Sequence, residues 1–144
     1  MTAPDTEPIL PNITEENQLF WASLRDHDLK LPFCMRCEKA FYPPQSRCPR
    51  CLGQRLEWRQ ASGRARLHSW VVVHQVYDKS FADRVPYVVA AVELEEGPRL
   101  ITNVVNCSPD GITADMGLKA TYRDLTDEVA LVQFEPDGAP DARK

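Results

Sequence analysis

Cys34-Met35-Arg36-Cys37 and Cys48-Pro49-Arg50-Cys51 are two C-x2-C pairs separated by ten residues. Each such turn sets two thiolates about a metal's width apart, and the intervening loop closes the pairs into a tetrahedral all-thiolate site. That donor set suits zinc, with a rubredoxin-like iron site as the alternative. A closed four-cysteine site has no open coordination position for water or substrate, so the metal is read as structural. It folds a loop of roughly 20 residues that has little core of its own. The predicted zinc ribbon spans residues 31–54.

Upstream, residues 1–11 carry Pro4, Pro8 and Pro11 among polar residues and read as a disordered arm. A helix is predicted over 12–30, starting near Asn12 or Thr14 and ending before Pro32, with Asn12 and Glu15 in a capping arrangement. Phe20, Trp21 and Leu24 fall on one face at helical spacing. The Phe20–Trp21 pair reads as ordinary packing ahead of a docking site, because large aromatics are usually buried. A helix outside the main domain must bury that face elsewhere, and a partner protein is one place.

Downstream, the pattern changes to period two with β-branched runs. Strands are predicted at 55–61, 65–77, 86–95, 99–106, 118–124 and 129–135, the barrel spanning 55–136 and a flexible tail 137–144. Ser62-Gly63 is a turn and Glu96-Gly97-Pro98 a hairpin connection. The runs Val71-Val72-Val73 and Val88-Val89-Ala90-Ala91-Val92 suit a closed barrel, and a five-stranded antiparallel OB-fold fits. The predicted fold class is therefore mainly β: N-terminal helix, rubredoxin-like zinc ribbon, then OB-fold barrel.

With 144 residues, 43% hydrophobic and 26% charged, the chain has the size and composition of one globular domain. Twelve prolines against six glycines argue against a helical bundle. No stretch reaches the roughly 18 apolar residues of a membrane span, and the first twenty residues lack the pattern of a signal peptide. A cytoplasmic location is expected, where close cysteines point to metal before disulfide.

The net charge of −4 hides a basic middle: residues 30–69 hold nine basic and two acidic side chains. Arg36, Lys39, Arg47, Arg50, Arg55, Arg59, Arg64 and Arg66 crowd around the cysteines, either as a solvated surface or as a patch for phosphates or an acidic partner. Overall acidity lowers the nucleic-acid option. Cys107 stands alone without Cys-His context and reads as a small hydrophobe. His68 and His74, six apart in one predicted strand, are expected on one face. No G-x-S-x-G, P-loop, G-x-G-x-x-G or H-E-x-x-H motif is present.

The order of parts, from N-terminal helix through cysteine quartet, Phe41-Tyr42-Pro43-Pro44, Glu57-Trp58 and Ser62-Gly63 to Pro86-Tyr87-Val88 and Leu94-Glu95-Glu96-Gly97-Pro98-Arg99, resembles the family catalogued as domain of unknown function thirty-five. These are zinc-ribbon plus OB-fold proteins associated with acyl-CoA metabolism, and the resemblance runs from about residue 15 to residue 136. It implies a non-catalytic accessory subunit in a hetero-oligomer with a thiolase, a synthase or a lipid-transfer-type aldolase, including those that cleave steroid side chains. Cys34, Cys37, Cys48 and Cys51 match the family's metal ligands. Phe20, Trp21, Leu24, Phe41 and Tyr42 are the candidate partner contacts. Arg64 and Arg66 are candidates for the phosphates of acyl-CoA at a shared site, or pair with acids across the sheet. Glu38 stands where the family often has Gly after the second cysteine, so a less regular first knuckle is expected, and Ala65 replaces the second Gly of a Ser-Gly-x-Gly turn. A single-stranded nucleic-acid-binding ribbon and barrel is the alternative function, requiring exposed stacking aromatics among Trp70, Tyr77, Tyr87 and Tyr122.

Overall fold

A computed structural model describes residues 10–74 and 86–137. One helix, α1 (Gln18–Arg25), precedes β1 (Lys30–Cys34), β2 (Lys39–Ala40), β3 (Leu56–Gln60), β4 (Arg64–Val73), β5 (Tyr87–Leu94), β6 (Arg99–Val104), β7 (Gly117–Asp124) and β8 (Ala130–Pro136). The first three strands form a sheet in the order β2-β1-β3, and the other five close into a barrel in the order β4-β5-β6-β8-β7. This is the mainly β ribbon-plus-barrel architecture expected. The expected arm up to residue 9, Tyr77 and the tail from residue 138 lie outside the described residues.

The helix is much shorter than the predicted 12–30, for two local reasons. At its start, Thr14 N–H donates to Asn17 Oδ1 (2.7 Å) and Asn17 N–H to Thr14 Oγ1 (3.3 Å), closing a separate turn ahead of the helix in place of the expected Asn12–Glu15 cap. Asn17 is then the N-cap, with no side-chain cap bond. At its end, His27 N–H donates to Leu24 O and Asp28 N–H to Ser23 O, both at 2.9 Å, with His27 left-handed at φ 57°. This is the Schellman arrangement, which glycine usually occupies at the left-handed position. Here His27 is held instead by stacking on Tyr122, with centroids 5.0 Å apart and planes 6° from parallel, and by a 2.8 Å contact of Nε2 with Asp124.

The apolar helix face is covered within the chain. Phe20 and Leu24 are 3% and 1% exposed, and α1 packs on β8 and β1. Of the two readings of this face, packing within the chain holds: one cluster runs from Phe20, Leu24, Leu29 and Leu31 through Ala61 into Leu67, Val92, Leu118 and Phe134. Ribbon and barrel share this core.

The segment read as the first barrel strand, 55–61, belongs to the ribbon sheet. As β3 it pairs antiparallel with β1 from Lys30↔Gln60 to Cys34↔Leu56, and the barrel begins only at Arg64. Sequence periodicity identifies a strand but not its neighbour. In β4 the register shifts between Leu67 and Ser69. The extra residue, His68, reverses the alternation, so Ala65 and Leu67 point inward before it and Trp70 and Val72 pack toward the core after it. His68 is the extra residue of the bulge and His74 lies beyond the end of β4, so the simple alternation that set them on one face does not hold.

Candidate functional site

The cysteine quartet is the most sharply built feature of the molecule. Cys34 closes β1, Cys37 lies in the turn before β2, and Cys48 and Cys51 stand in the loop leading to β3. Their four Sγ atoms lie within 4.8 Å of one another, with Cys34–Cys51 at 3.7 Å and Cys37–Cys48 at 3.8 Å. A tetrahedron with zinc–sulfur bonds of about 2.3 Å has edges of about 3.8 Å, so the thiols are spaced for a shared ion. A disulfide needs about 2.05 Å, far closer than any of these. The residues present fit zinc, which would be held by Cys34, Cys37, Cys48 and Cys51 and would supply a rigid cross-link.

The two knuckles are near copies. Glu38 N–H donates to Cys34 O and Leu52 N–H to Cys48 O, both at 2.8 Å. Glu38 and Leu52 are both left-handed, at φ 58° and 62°. The first knuckle is therefore regular despite its missing glycine, contrary to expectation; the pairing of both turns around one centre carries the strain of a left-handed side chain. Backbone N–H groups point at the sulfurs: Cys37 to Cys34 Sγ at 3.3 Å, Arg50 to Cys48 Sγ at 3.3 Å and Gly53 to Cys51 Sγ at 3.4 Å. Burial opposes a charged Cys48, but the N–H groups of Cys51 and Arg50 and the neighbouring thiols outweigh it and bring it down to about 6. Cys37 moves the other way, pushed up to about 11 by the Cys51 thiol and then by burial.

Part of the basic middle is structural. Arg47 Nη1 donates to Leu52 O at 3.2 Å and Arg50 Nη2 to Ala40 O at 3.3 Å, satisfying ribbon carbonyls. Arg59 lies 3.6 Å over the Phe33 ring and pairs with Glu57. Arg66 donates to Asp115 at 2.6 Å on the surface, whereas Arg64 has no side-chain partner among the described residues. The two arginines share an open cleft with Glu93, Glu95 and Asp115, so acids outnumber bases there.

The candidate partner contacts separate by burial. Phe20, Leu24 and Phe41 are buried, while Trp21 and Tyr42 are half-buried and flank Phe20, with centroids 5.4 and 5.3 Å from it. On the helix and around the metal knuckles, exposed apolar residues not expected in this role are Leu19, Met35 and Leu52, the last 65% exposed, while Val71 and Ile101 are exposed on the barrel. Their signal was faint: only Leu19 adjoins the predicted helix face. Of the aromatics needed for nucleic-acid stacking, Tyr122 has one face on His27 and Trp70 packs against the core. Cys107 packs against the hydrophobic core, and its Sγ donates to Ser108 O at 3.4 Å. No helix among the described residues is long and apolar enough to cross a membrane.

Two family models match in tandem: residues 21–57 match "ChsH2, rubredoxin-like zinc ribbon domain" and residues 58–123 match "ChsH2, C-terminal OB-fold domain". The chain is 38% identical over 96 residues to a DUF35 domain-containing scaffold protein of Methanothermobacter thermautotrophicus, covering 66% of this chain and 71% of that protein. It is 32% identical over 126 residues to a probable enoyl-CoA hydratase alpha subunit of Thermomonospora curvata, covering 88% of this chain but only 39% of that longer protein. Among solved structures, a chain of an Ltp2-ChsH2(DUF35) aldolase superposes with a TM-score of 0.81 at 31% identity, covering 88% of this chain and 98% of that one. With ribbon and barrel both matched in order, the chain belongs to the DUF35 family, in the ChsH2-type arrangement of a rubredoxin-like zinc ribbon followed by an OB-fold domain.

Proposed function

We propose that this protein is a non-catalytic accessory subunit of a thiolase-fold acyl-CoA enzyme, most specifically a lipid-transfer-type aldolase acting in steroid side-chain or fatty-acyl catabolism. The observation that carries this reading is the likeness, over 98% of its length, to the DUF35 chain of an aldolase named for both Ltp2 and ChsH2. Zinc holds the ribbon rigid, the helix and ribbon form the contact, and the barrel helps shape the partner's acyl-CoA channel. Trp21 and Tyr42 supply contact surface together with Leu19, Met35 and Leu52; Phe20, Leu24 and Phe41 hold that surface in place from beneath. Arg64, with no side-chain partner among the described residues, is the freer of the two arginines for a coenzyme A phosphate, because Arg66 is already engaged by Asp115. Such a subunit works in the cytoplasm.

Co-expression with a lipid-transfer-type thiolase-fold protein, followed by size-exclusion chromatography, tests the proposal. One co-eluting species is expected, lost on replacing Cys34 or Cys48 by Ser. Separate elution of the two proteins, each folded, refutes it.

A further inference from the structure

We infer that the outer groove over the β6–β8 seam of the barrel is a binding site for a small monocarboxylate with a short apolar tail. β6 and β8 run parallel and share a single register pair, Val104↔Phe134, extended by Val105 N–H to Phe134 O at 2.8 Å. The short ladder leaves a cleft of about 300 Å³ on the outside of the barrel. Arg123, Gln133 and Asn103 line it with polar groups, and Val105 and Pro109 give it an apolar wall.

Two of these side chains lack partners. The half-buried Arg123 guanidinium has no ion pair or hydrogen bond among the described residues, and neither does the Gln133 amide, although Gln133 is only 8% exposed. Neither group is sealed from solvent, so both are open to a ligand entering the cleft. The acid nearby does not serve them: Glu135 accepts from Asn106 Nδ2 at 2.5 Å and faces Lys119 Nζ at 3.9 Å. Asn103 commits its Nδ2 to Val88 O at 2.8 Å. A ligand that brings acceptor oxygens can meet the guanidinium and an amide N–H together. A carboxylate does this with one negative charge against one cation. A phosphate dianion leaves charge uncompensated at a site with a single guanidinium. The cleft volume and its valine and proline wall suit a tail of a few carbons.

The zinc-loaded chain, labelled with nitrogen-15, is titrated with sodium butyrate, butyramide and inorganic phosphate while the amides of residues 103–106 and the Gln133 side chain are followed. Saturable shifts confined to the groove are expected with butyrate, with binding of butyramide and phosphate weaker by on the order of 10-fold or more. Arg123→Lys, which keeps the charge but not the fork, weakens butyrate binding, and Gln133→Met weakens it independently; the dispersion of the remaining resonances confirms that both variants fold. Equal binding of butyramide, tighter binding of phosphate, or only non-saturating shifts spread over the surface overturns the assignment. The experiment uses this chain alone, so its outcome is separate from that of the partner test.

Discussion

Replacing Tyr122 by Phe removes one oxygen atom from the joint between ribbon and barrel. Tyr122, on β7, accepts the backbone N–H of Leu29 at 3.0 Å, and Leu29 is 2% exposed just before β1. The ring itself stays in Phe, so the stack on His27 survives and the hydroxyl is tested by itself. An orphaned buried donor costs about 1–3 kcal/mol. For a chain of this length each kcal/mol moves the melting temperature by about 2–4 °C, so a fall of about 2–12 °C is expected. Calorimetry of the zinc-loaded protein measures the total, and hydrogen exchange at the Leu29 amide measures the local loss, expected to rise by about 5- to 150-fold if opening is local. There is also a signature in pH. Burial raises the Tyr122 hydroxyl above the ordinary tyrosine range, against a lowering by the Leu29 N–H bond. With the folded-state value raised, its contribution to stability is complete below about pH 10 and is lost as pH rises beyond that. The Phe variant lacks that component of the alkaline loss. An unchanged melting temperature together with an equally protected Leu29 amide refutes the claim that this bond ties the modules.

Three other outcomes follow from the same structure. Removing zinc with a strong chelator, where structural zinc sites are worth about 10–16 kcal/mol, exposes amides 34–56 to hydrogen exchange most and lowers the protection of amides 88–92 in β5 to a lesser degree through the shared core; an effect confined to the ribbon contradicts that coupling. Glu38→Gly relieves a left-handed side chain and raises stability by about 1 kcal/mol in thermal melts, whereas a decrease shows that the Glu38 side chain does more than occupy the turn. Phe134→Ala, at a position with no exposed surface inside the barrel and beneath α1, lowers stability by about 3–5 kcal/mol in urea titration.

The metal centre was legible in the sequence because its chemistry is local: two C-x2-C turns specify four sulfurs, and the structure brings all four within 4.8 Å. The barrel strands were legible because alternation is local too; Val88, Ala90, Val92 and Leu94 are buried in β5 as a period of two requires. What the sequence hid depends on distant partners. Nothing near His27 announces a helix stop, since the residue is held left-handed by Tyr122 and Asp124, 95 and 97 positions away. Likewise β3 reads as any short strand, and only its pairing with β1 assigns it to the ribbon. The groove at Arg123 and Gln133 arises where β6 meets β8, a crossover that no run of residues encodes by itself.

That same long-range pairing decides where the two modules are physically joined. The family boundary between residues 57 and 58 falls inside β3, whose five residues are all in register with β1. The covalent joint is the short turn after it, where Ala61 N–H donates to Leu29 O at 2.8 Å and Ser62 N–H to Glu96 Oε2 at 2.7 Å. Ala61 and Leu29 are themselves part of the cluster that reaches Phe134. A barrel cut free at residue 58 would keep half of a broken sheet and expose apolar surface that Leu29, Leu31 and Leu24 now cover, at roughly 25 cal/mol for each Å² returned to water. Family matching therefore divides this chain at a point where physical chemistry does not, and rigidity imposed by zinc on β1 is carried into the barrel through a shared core rather than across a linker.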